Sequence, residues 1–566
     1  MNKKVNTPKR VIAGSVAVLL AAGLFAGCAK KPASTGTDGK PGEVKEITEI
    51  TAFFNTNLTS TIAPWDTPVG KKITELTGVK VKVEYLVGQD ARQKAGIMIA
   101  SGDYPDIINP GEATGDFIAA GALIPLDDYI AKDGTNIKKI YRPSELTLLK
   151  QQYGKTYYVS GSRASEDTLY PSAGFYLNID ALKDAGYPKV KTMDQFLEIV
   201  RNYVKKNPTY NGKSTIGFTG PAEAVRMSAL QYGGSRFVAG YPNDGPAYVD
   251  QKTLVTKTIM SSDFAKQYNK VLNGMWNEGL MDKEMFMQTN DQYLAKLSSG
   301  RVVGFYDQRG SLLTAFSALE KQGLTSRMFV AFPATFAEVE KDYYRGPRAF
   351  TTQTGLAITN KAKDPESIFK FLDRMAGEDI NKLNMWGIEG TDYTVAGGKM
   401  TKSADQWKQY NDLDYQKKQG ISQFWEFPRY EESLDAKYSK FTDGNMVSPT
   451  KTDEFLNIKY QDYEKEILKA YDIKSFNDLF APTYPATYEP GWAVRSKMPA
   501  DHPGKVAVEK ALEIAKQYVP KVVTAKPAEF DKVYAEYLDK LSKLDLKSFE
   551  DEMTKQIQDG AQYYKN

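Results

Sequence analysis

Val79-Lys80-Val81-Lys82-Val83-Glu84-Tyr85-Leu86-Val87 alternates apolar and polar residues, the pattern of a strand with one covered face. Upstream, Glu46 to Phe54 reads as an earlier strand, with Ile47, Ile50 and Ala52-Phe53-Phe54 as its apolar faces. Between them a helical stretch around Lys71 to Thr77 stops at Gly78. Downstream, Ala91 to Ala100 reads as a helix and Ser101-Gly102-Asp103-Tyr104-Pro105 as a turn. Asp106-Ile107-Ile108 then forms a short strand. Strands alternating with helices predict an α/β fold built on a parallel sheet.

The same rhythm continues. Thr192 to Val204 is a predicted helix: Thr192 and Gln195 form a capping box, and Phe196, Val200 and Val204 recur on one face. Ile216-Gly217-Phe218, Arg301 to Tyr306 and Gly355 to Thr359 read as buried strands. Asp364-Pro365-Glu366 opens a helix with a cap, a proline at its first position and an early acid. Ile368, Phe369, Leu372 and Met375 form its buried stripe, and Phe530, Val533, Tyr534, Tyr537, Leu538 and Leu541 form another. No internal repeat is visible.

The N-terminus has a different character. Lys3, Lys4, Lys9 and Arg10 precede an uncharged run from Val11 to Phe25, which ends in Ala26-Gly27-Cys28. A charged start, a short apolar core and a small-residue exit make an export signal over residues 1–27. Leu24-Phe25-Ala26-Gly27-Cys28 resembles the bacterial lipobox, with Phe25 where Leu is usual. That resemblance implies a lipid anchor on Cys28, whose two acyl chains hold a protein to a membrane far better than one. Residues 28–45, rich in Lys, Pro, Gly, Ser and Thr, have little to bury and read as a flexible tether.

Cys28 is the only cysteine of 566 residues, so no disulfide forms within the chain. The whole chain has 74 basic and 70 acidic side chains. Residues 1–27 hold four of the bases and no acid, which leaves a neutral mature chain with no general pull toward nucleic acid. A length near 540 residues is too great for one ordinary core and predicts two lobes. The single histidine, His502, lies in the turn-like Ala500-Asp501-His502-Pro503-Gly504, which leaves no multi-histidine metal site. Asn211-Gly212-Lys213-Ser214 lacks the earlier glycine of a phosphate loop, because Asn207 occupies that position. No cofactor is implied.

A series of short stretches carries a family resemblance. Ser101-Gly102-Asp103-Tyr104-Pro105-Asp106-Ile107-Ile108 precedes Gly121-Ala122-Leu123-Ile124-Pro125-Leu126-Asp127-Asp128-Tyr129-Ile130. Tyr153-Gly154-Lys155-Thr156-Tyr157-Tyr158 and Tyr176-Leu177-Asn178-Ile179-Asp180-Ala181-Leu182 follow. Gly300-Arg301-Val302-Val303-Gly304, Asp364-Pro365-Glu366-Ser367 and Trp386-Gly387-Ile388-Glu389-Gly390-Thr391-Asp392-Tyr393 complete the order. Over residues 47–400 this order resembles the family 1 extracellular solute-binding proteins of ABC importers, in particular the large lipoprotein branch akin to alginate-binding proteins.

The resemblance implies an α/β, two-lobe, periplasmic-binding-protein-like (type II) fold with a hinge and an interlobe cleft. The expected limits are 46–165 and 331–400 for the first lobe, and 166–330 and 401–566 for the second. It also implies a monomer on the outer face of the membrane that captures a sugar or oligosaccharide and delivers it to permease subunits. No bond is made or broken, so no enzymatic activity is expected. Some relatives carry a calcium loop of the Asp-Pro-Asp-x-Asn-Gly kind. Here Asn207-Pro208-Thr209-Tyr210-Asn211-Gly212 and Thr215 replace its carboxylates, and no metal is expected.

Sugars offer hydroxyls at the rim and C–H groups on their faces, which suits aromatic planes flanked by amides and acids. Candidates near strand ends and glycine turns are Asn55, Asn57, Trp65, Tyr170, Tyr232, Trp276, Tyr306, Asp307, Trp386, Glu389 and Trp492. Trp276, next to Met275, equally suits a helix face, and Asn55, Asn57 and Asp307 equally suit plain turns. Arg345 and Arg348 are a local basic patch. Two other functions fit the same residues: a surface-attached glycoside hydrolase or polysaccharide lyase, and a sugar sensor without transport.

Overall fold

The first strand, β1 (Thr48–Asn57), is central to a sheet that gathers the predicted strand–helix–strand unit around it. A computed structural model describes residues 48–57, 63–86, 91–151, 153–159, 169–221, 232–345, 350, 352, 355–430, 439–482 and 486–564. The predicted signal, Cys28, the tether and Arg348 lie outside the described residues. β1 pairs in parallel with β2 (Val79–Leu86) and β3 (Ile107–Asn109). The helix Pro68–Thr77 links β1 to β2, is capped by the Thr67 side chain and ends at Gly78, whose φ of 72° is the left-handed value glycine tolerates best. The helix Ala91–Ser101 links β2 to β3.

The other edge of this sheet is antiparallel. β4 (Tyr158–Val159) and β9 (Leu356–Ile358) complete the order β2-β1-β3-β9-β4. Between β4 and β9 the chain builds a second sheet from β5 (Ala173–Asn178), β6 (Ile216–Thr219), β7 (Val302–Gln308) and β8 (Phe329–Phe332). Its order is β8-β5-β7-β6, with β5 antiparallel to both neighbours and β7 parallel to β6. The predicted parallel unit is thus realised in β1, β2 and β3, while the strands next to the first two crossings, β4, β5, β8 and β9, pair antiparallel.

Two separate hydrophobic cores define two lobes. The first takes buried side chains from Ile50 to Leu169 and from Phe350 to Phe455. The second takes them from Phe175 to Phe336 and from Tyr460 to Ala561. The chain thus changes core between Leu169 and Phe175, between Phe336 and Phe350, and between Phe455 and Tyr460. This corrects two expected limits. Residues 331–336 stay with the second core through Phe332 and Phe336. Residues 401–455 join the first core through Trp407, Tyr410, Phe424, Phe427, Phe441 and Phe455. Burying aromatics of this size is worth on the order of 2–3 kcal/mol each, enough to decide where a segment without strands docks.

Local signals are realised where they depend only on neighbours. The helix Met193–Lys206 begins at the Thr192–Gln195 capping box, and Pro365–Met375 begins at an Asp364 cap. His502, read as a turn residue, caps the long helix Pro503–Thr524, its Nδ1 accepting from the Gly504 N–H at 3.2 Å. Gly504 is needed there, since a Cβ would lie 2.4 Å from the Phe549 backbone nitrogen of the packed helix Leu546–Ala561. Asn211 and Gly212, with φ of 50° and 74°, turn a two-residue hairpin. The Thr215 hydroxyl donates to the Asn207 carbonyl at 2.6 Å across its base.

Candidate functional site between the lobes

In the first lobe, β1 and β3 end side by side. Phe54 is in register with Asn109, so Asn55 and Pro110 follow at one level. Asn55 Nδ2 donates to the Pro110 carbonyl at 2.9 Å, while its buried Oδ1 has no partner among the described residues. Asn109 Oδ1 accepts from the Gly111 N–H at 3.1 Å, and Asn109 Nδ2 donates to Glu426. Gly111 is at φ 59°, and a Cβ there would press on the Asn55 amide. Burial, with the Glu426 charge as the lesser cause, pushes the Tyr85 hydroxyl up to about 12.

The segment Phe424–Phe427 brings Glu426 to these strand ends. Phe424 and Phe427 are buried, with their rings edge-on to Trp65 at 5.2 and 5.7 Å. Between them Trp425 points outward and is 49% exposed. Arg429 reaches back to donate to the Trp425 carbonyl. Phe424 and Phe427 thus anchor this segment in the core, Glu426 bonds the buried Asn109 amide, and Trp425 presents an exposed indole.

The facing elements belong to the second lobe. The turn at Gly111–Ala113 lies against the helix Gly491–Lys497. A Cβ on Gly115 would sit 3.4 Å from the Tyr153 hydroxyl and 3.7 Å from the Lys497 carbonyl. The Tyr153 hydroxyl is buried with no hydrogen-bond partner among the described residues, and burial drives its pKa far up. Glu489 accepts from the Thr352 N–H at 2.8 Å and the Thr352 hydroxyl at 3.0 Å, and pairs with Lys497. Tyr158 donates to the Thr352 carbonyl, which ties β4 to the second crossing. Further out, Arg92 of the first lobe is 3.3 Å from Glu509 of the second, which Arg495 also holds.

The helix Gly491–Lys497 is pinned from below. Asp244 Oδ1 accepts from the Gly491 N–H at 2.7 Å and Oδ2 from the Tyr488 hydroxyl at 3.0 Å. Full burial raises the Asp244 carboxyl to about 6 despite those bonds and the nearby Arg236.

The candidate residues separate accordingly. Asn55 is at the first-lobe strand ends, and half-buried Trp492 is on the facing helix beside Gly245. Asn57 ends β1 after a register shift, and its side chain lies outside the described atoms. Half-buried Tyr232 precedes the helix Gly234–Val238, its carbonyl accepting from the Ser235 hydroxyl. Trp276, on the helix Asp263–Asn277, packs against the second core near Phe286. Glu389 is exposed in the turn that bridges to Tyr393. Tyr170 lies at the first crossing, stacked on Phe476 at 5.4 Å.

Four expectations are corrected by burial. Trp65 is enclosed by Phe371, Phe424 and Phe427. Trp386 has no exposed surface, and its indole N–H donates to the Met446 carbonyl at 3.0 Å. Tyr306 is packed between Phe175 and Phe237. None leaves a ring face for a ligand. Asp307 is also fully buried and is satisfied by the Tyr293 hydroxyl at 3.0 Å and the Gln308 N–H. The residues missed from sequence are Asn109, Tyr153, Trp425, Glu426, Glu489 and Lys497. Asn109-Pro110-Gly111 directly after a predicted strand was the available signal for the first of these.

Residues 55–382 match the family model of the bacterial extracellular solute-binding proteins. The chain is similar to the lipoprotein LipO of Bacillus subtilis, at 24% identity over 68% of this chain and 74% of the relative. It is similar to FusA of Streptococcus pneumoniae, a fructooligosaccharide ABC transporter substrate-binding protein, at 24% identity over 66% of this chain and 71% of the relative. The fold is similar to the crystal structure of the alginate-binding protein AlgQ2 without calcium ion, with a TM-score of 0.62 and 18% identity over 91% of this chain and 99% of the other. The match spans more than half of the sequence, and the chain belongs to the bacterial extracellular solute-binding proteins.

Proposed function

We propose that this protein is the substrate-capturing subunit of an ABC importer, anchored through lipidated Cys28 on the outer face of the membrane, and that it binds a neutral sugar or oligosaccharide between its lobes. The observation that carries this reading is the pairing of two facing surfaces. Asn55, Asn109, Glu426 and exposed Trp425 line the first-lobe strand ends, and the turn beside them lies against the helix bearing Trp492. An exposed indole on the segment that brings a carboxylate to two strand-end amides suits a sugar's C–H face and hydroxyl rim. FusA, named for fructooligosaccharides, and LipO, named a lipoprotein, support the substrate class and the anchor.

The working step is mechanical. A ligand that touches both lobes stabilises the closed arrangement by its differential contacts, and a permease reads that closure. The protein acts as a monomer and leaves the sugar intact. A thermal-shift screen against neutral and acidic oligosaccharides, with product analysis of every mixture, tests this. Ligand at 100 times its Kd adds about 2.7 kcal/mol of stability. A shift with intact sugar is the expected result, and cleaved sugar is the result against it. Cys28→Ala is expected to release the protein from cells into the medium.

A further inference from the structure

A second recess, of about 260 Å³, lies beside the first and third chain crossings, away from the strand-end surfaces above. Its walls come from both lobes: Asn411, Leu413 and Phe455 from the first-core side, Arg309, Leu313 and Phe316 from the second. The volume equals the liquid share of roughly nine water molecules, room for one small molecule and not for a chain of sugars.

The polar groups in the recess are unevenly used. Arg309 lies flat over Tyr170, its guanidinium carbon 3.5 Å from the ring centroid. Its guanidinium donates no hydrogen bond to a described residue, so the donors along its edge remain available. The carboxylates are partly occupied. Glu464 accepts from the Tyr170 hydroxyl at 2.6 Å and the Gln461 N–H at 2.9 Å. Glu320 accepts from the Tyr463 hydroxyl at 2.8 Å through Oε1, and its Oε2 accepts from no described residue.

Arg309 and Lys459 balance Glu320 and Glu464 around the recess. An anionic ligand meets two carboxylates, and a cationic one meets two bases. A neutral molecule with hydroxyls can accept from Arg309, donate to Glu320 and lay its C–H groups on Leu313, Phe316 and Phe455. We infer that this recess is a second binding site, for one neutral monosaccharide-sized polyol, separate from the strand-end site. Such a ligand bridges both cores and stabilises the fold when bound.

The test is calorimetric titration and thermal shift on the full chain in detergent with glucose, galactose, mannose and fructose, and with galacturonate as the charged comparison. The variants are Ser317→Trp, which fills the recess, Arg309→Met, which removes its donors, and Trp425→Ala, which alters the other site. At least one neutral hexose is expected to bind once per chain and raise the melting temperature. Affinity falls tenfold or more in Arg309→Met and in Ser317→Trp, stays within twofold in Trp425→Ala, and is at least tenfold weaker for galacturonate. If Ser317→Trp does not fold, Arg309→Met carries the test alone. No hexose binding at tens of millimolar overturns the inference. So does binding that Trp425→Ala removes and Arg309→Met leaves intact, or a preference for galacturonate. The strand-end reading is judged by oligosaccharide binding, so the two can fail independently.

Discussion

Thr352 donates twice to one oxygen of Glu489, through its N–H at 2.8 Å and its hydroxyl at 3.0 Å. Thr352 lies in the second crossing and Glu489 just before the helix Gly491–Lys497, so this pair fixes the crossing to an element of the second lobe. Tyr158 holds the same threonine from the first lobe. The crossing is therefore bonded on both sides at one residue.

Removing the carboxylate takes from half-buried Lys497 its ion pair with Glu489. Glu489→Ala is expected to lower the unfolding free energy by about 3–5 kcal/mol, the usual cost of breaking a buried ion pair from one side. Glu489→Gln retains an acceptor for Thr352 and is expected to cost less. Urea unfolding of both variants checks the order.

The Arg92–Glu509 pair links the lobes near the surface, with roughly a third of each side chain exposed. Exposed pairs contribute about 0.2–1 kcal/mol, and salt screens them. Arg92→Ala is expected to weaken oligosaccharide binding by up to about fivefold at low salt and hardly at all in 1 M salt. Titration calorimetry at both ionic strengths reads this directly.

Two tryptophans near the strand ends should behave oppositely. Trp65 is core, and Trp65→Ala is expected to cost about 3–5 kcal/mol of stability. Trp425 is 49% exposed. Trp425→Ala is expected to leave the melting temperature nearly unchanged and to weaken sugar binding about tenfold, the scale of an interface aromatic.

That contrast shows what sequence can and cannot convey. Val79 to Leu86, the Thr192 cap and the Asp364–Pro365 helix start were legible because their causes are local: alternation, a side-chain oxygen, a fixed φ. Trp65 and Trp386 looked like loop residues beside turns, yet distant segments bury them: Phe424 packs on Trp65, and the Met446 carbonyl accepts from the Trp386 indole. Phe424–Phe427 has no strand or helix period, so neither its docking on the first core nor the outward aim of Trp425 could be read. Asn55 was legible as a strand-end amide, whereas its neighbour Asn109 became visible only through the register of β1 and β3.

Lys402 gives a pH signature. Its ammonium donates to the Trp386 and Asp392 carbonyls at 2.9 and 2.8 Å, over the Tyr410 and Trp386 rings. Burial pulls its pKa down to about 8, although the charges of Asp392 and Glu454 oppose the shift. The folded chain therefore holds this proton less tightly than the unfolded chain. Between pH 8 and the ordinary lysine value of 10.5 the unfolded state binds more protons, so this site's contribution to stability rises with pH. Below pH 8 its full cost is present. Wild-type stability minus that of Lys402→Met is expected to climb across that window, and a flat difference contradicts the assignment.

The central claim is capture by lobe closure. Small-angle scattering of the purified chain, with and without the oligosaccharide that gives the largest thermal shift, tests it most directly when the sugar is analysed afterwards. The account predicts a smaller radius of gyration in the bound state, reversal on removing the ligand, and intact sugar. An unchanged radius with bound ligand, or sugar recovered as fragments, would contradict it.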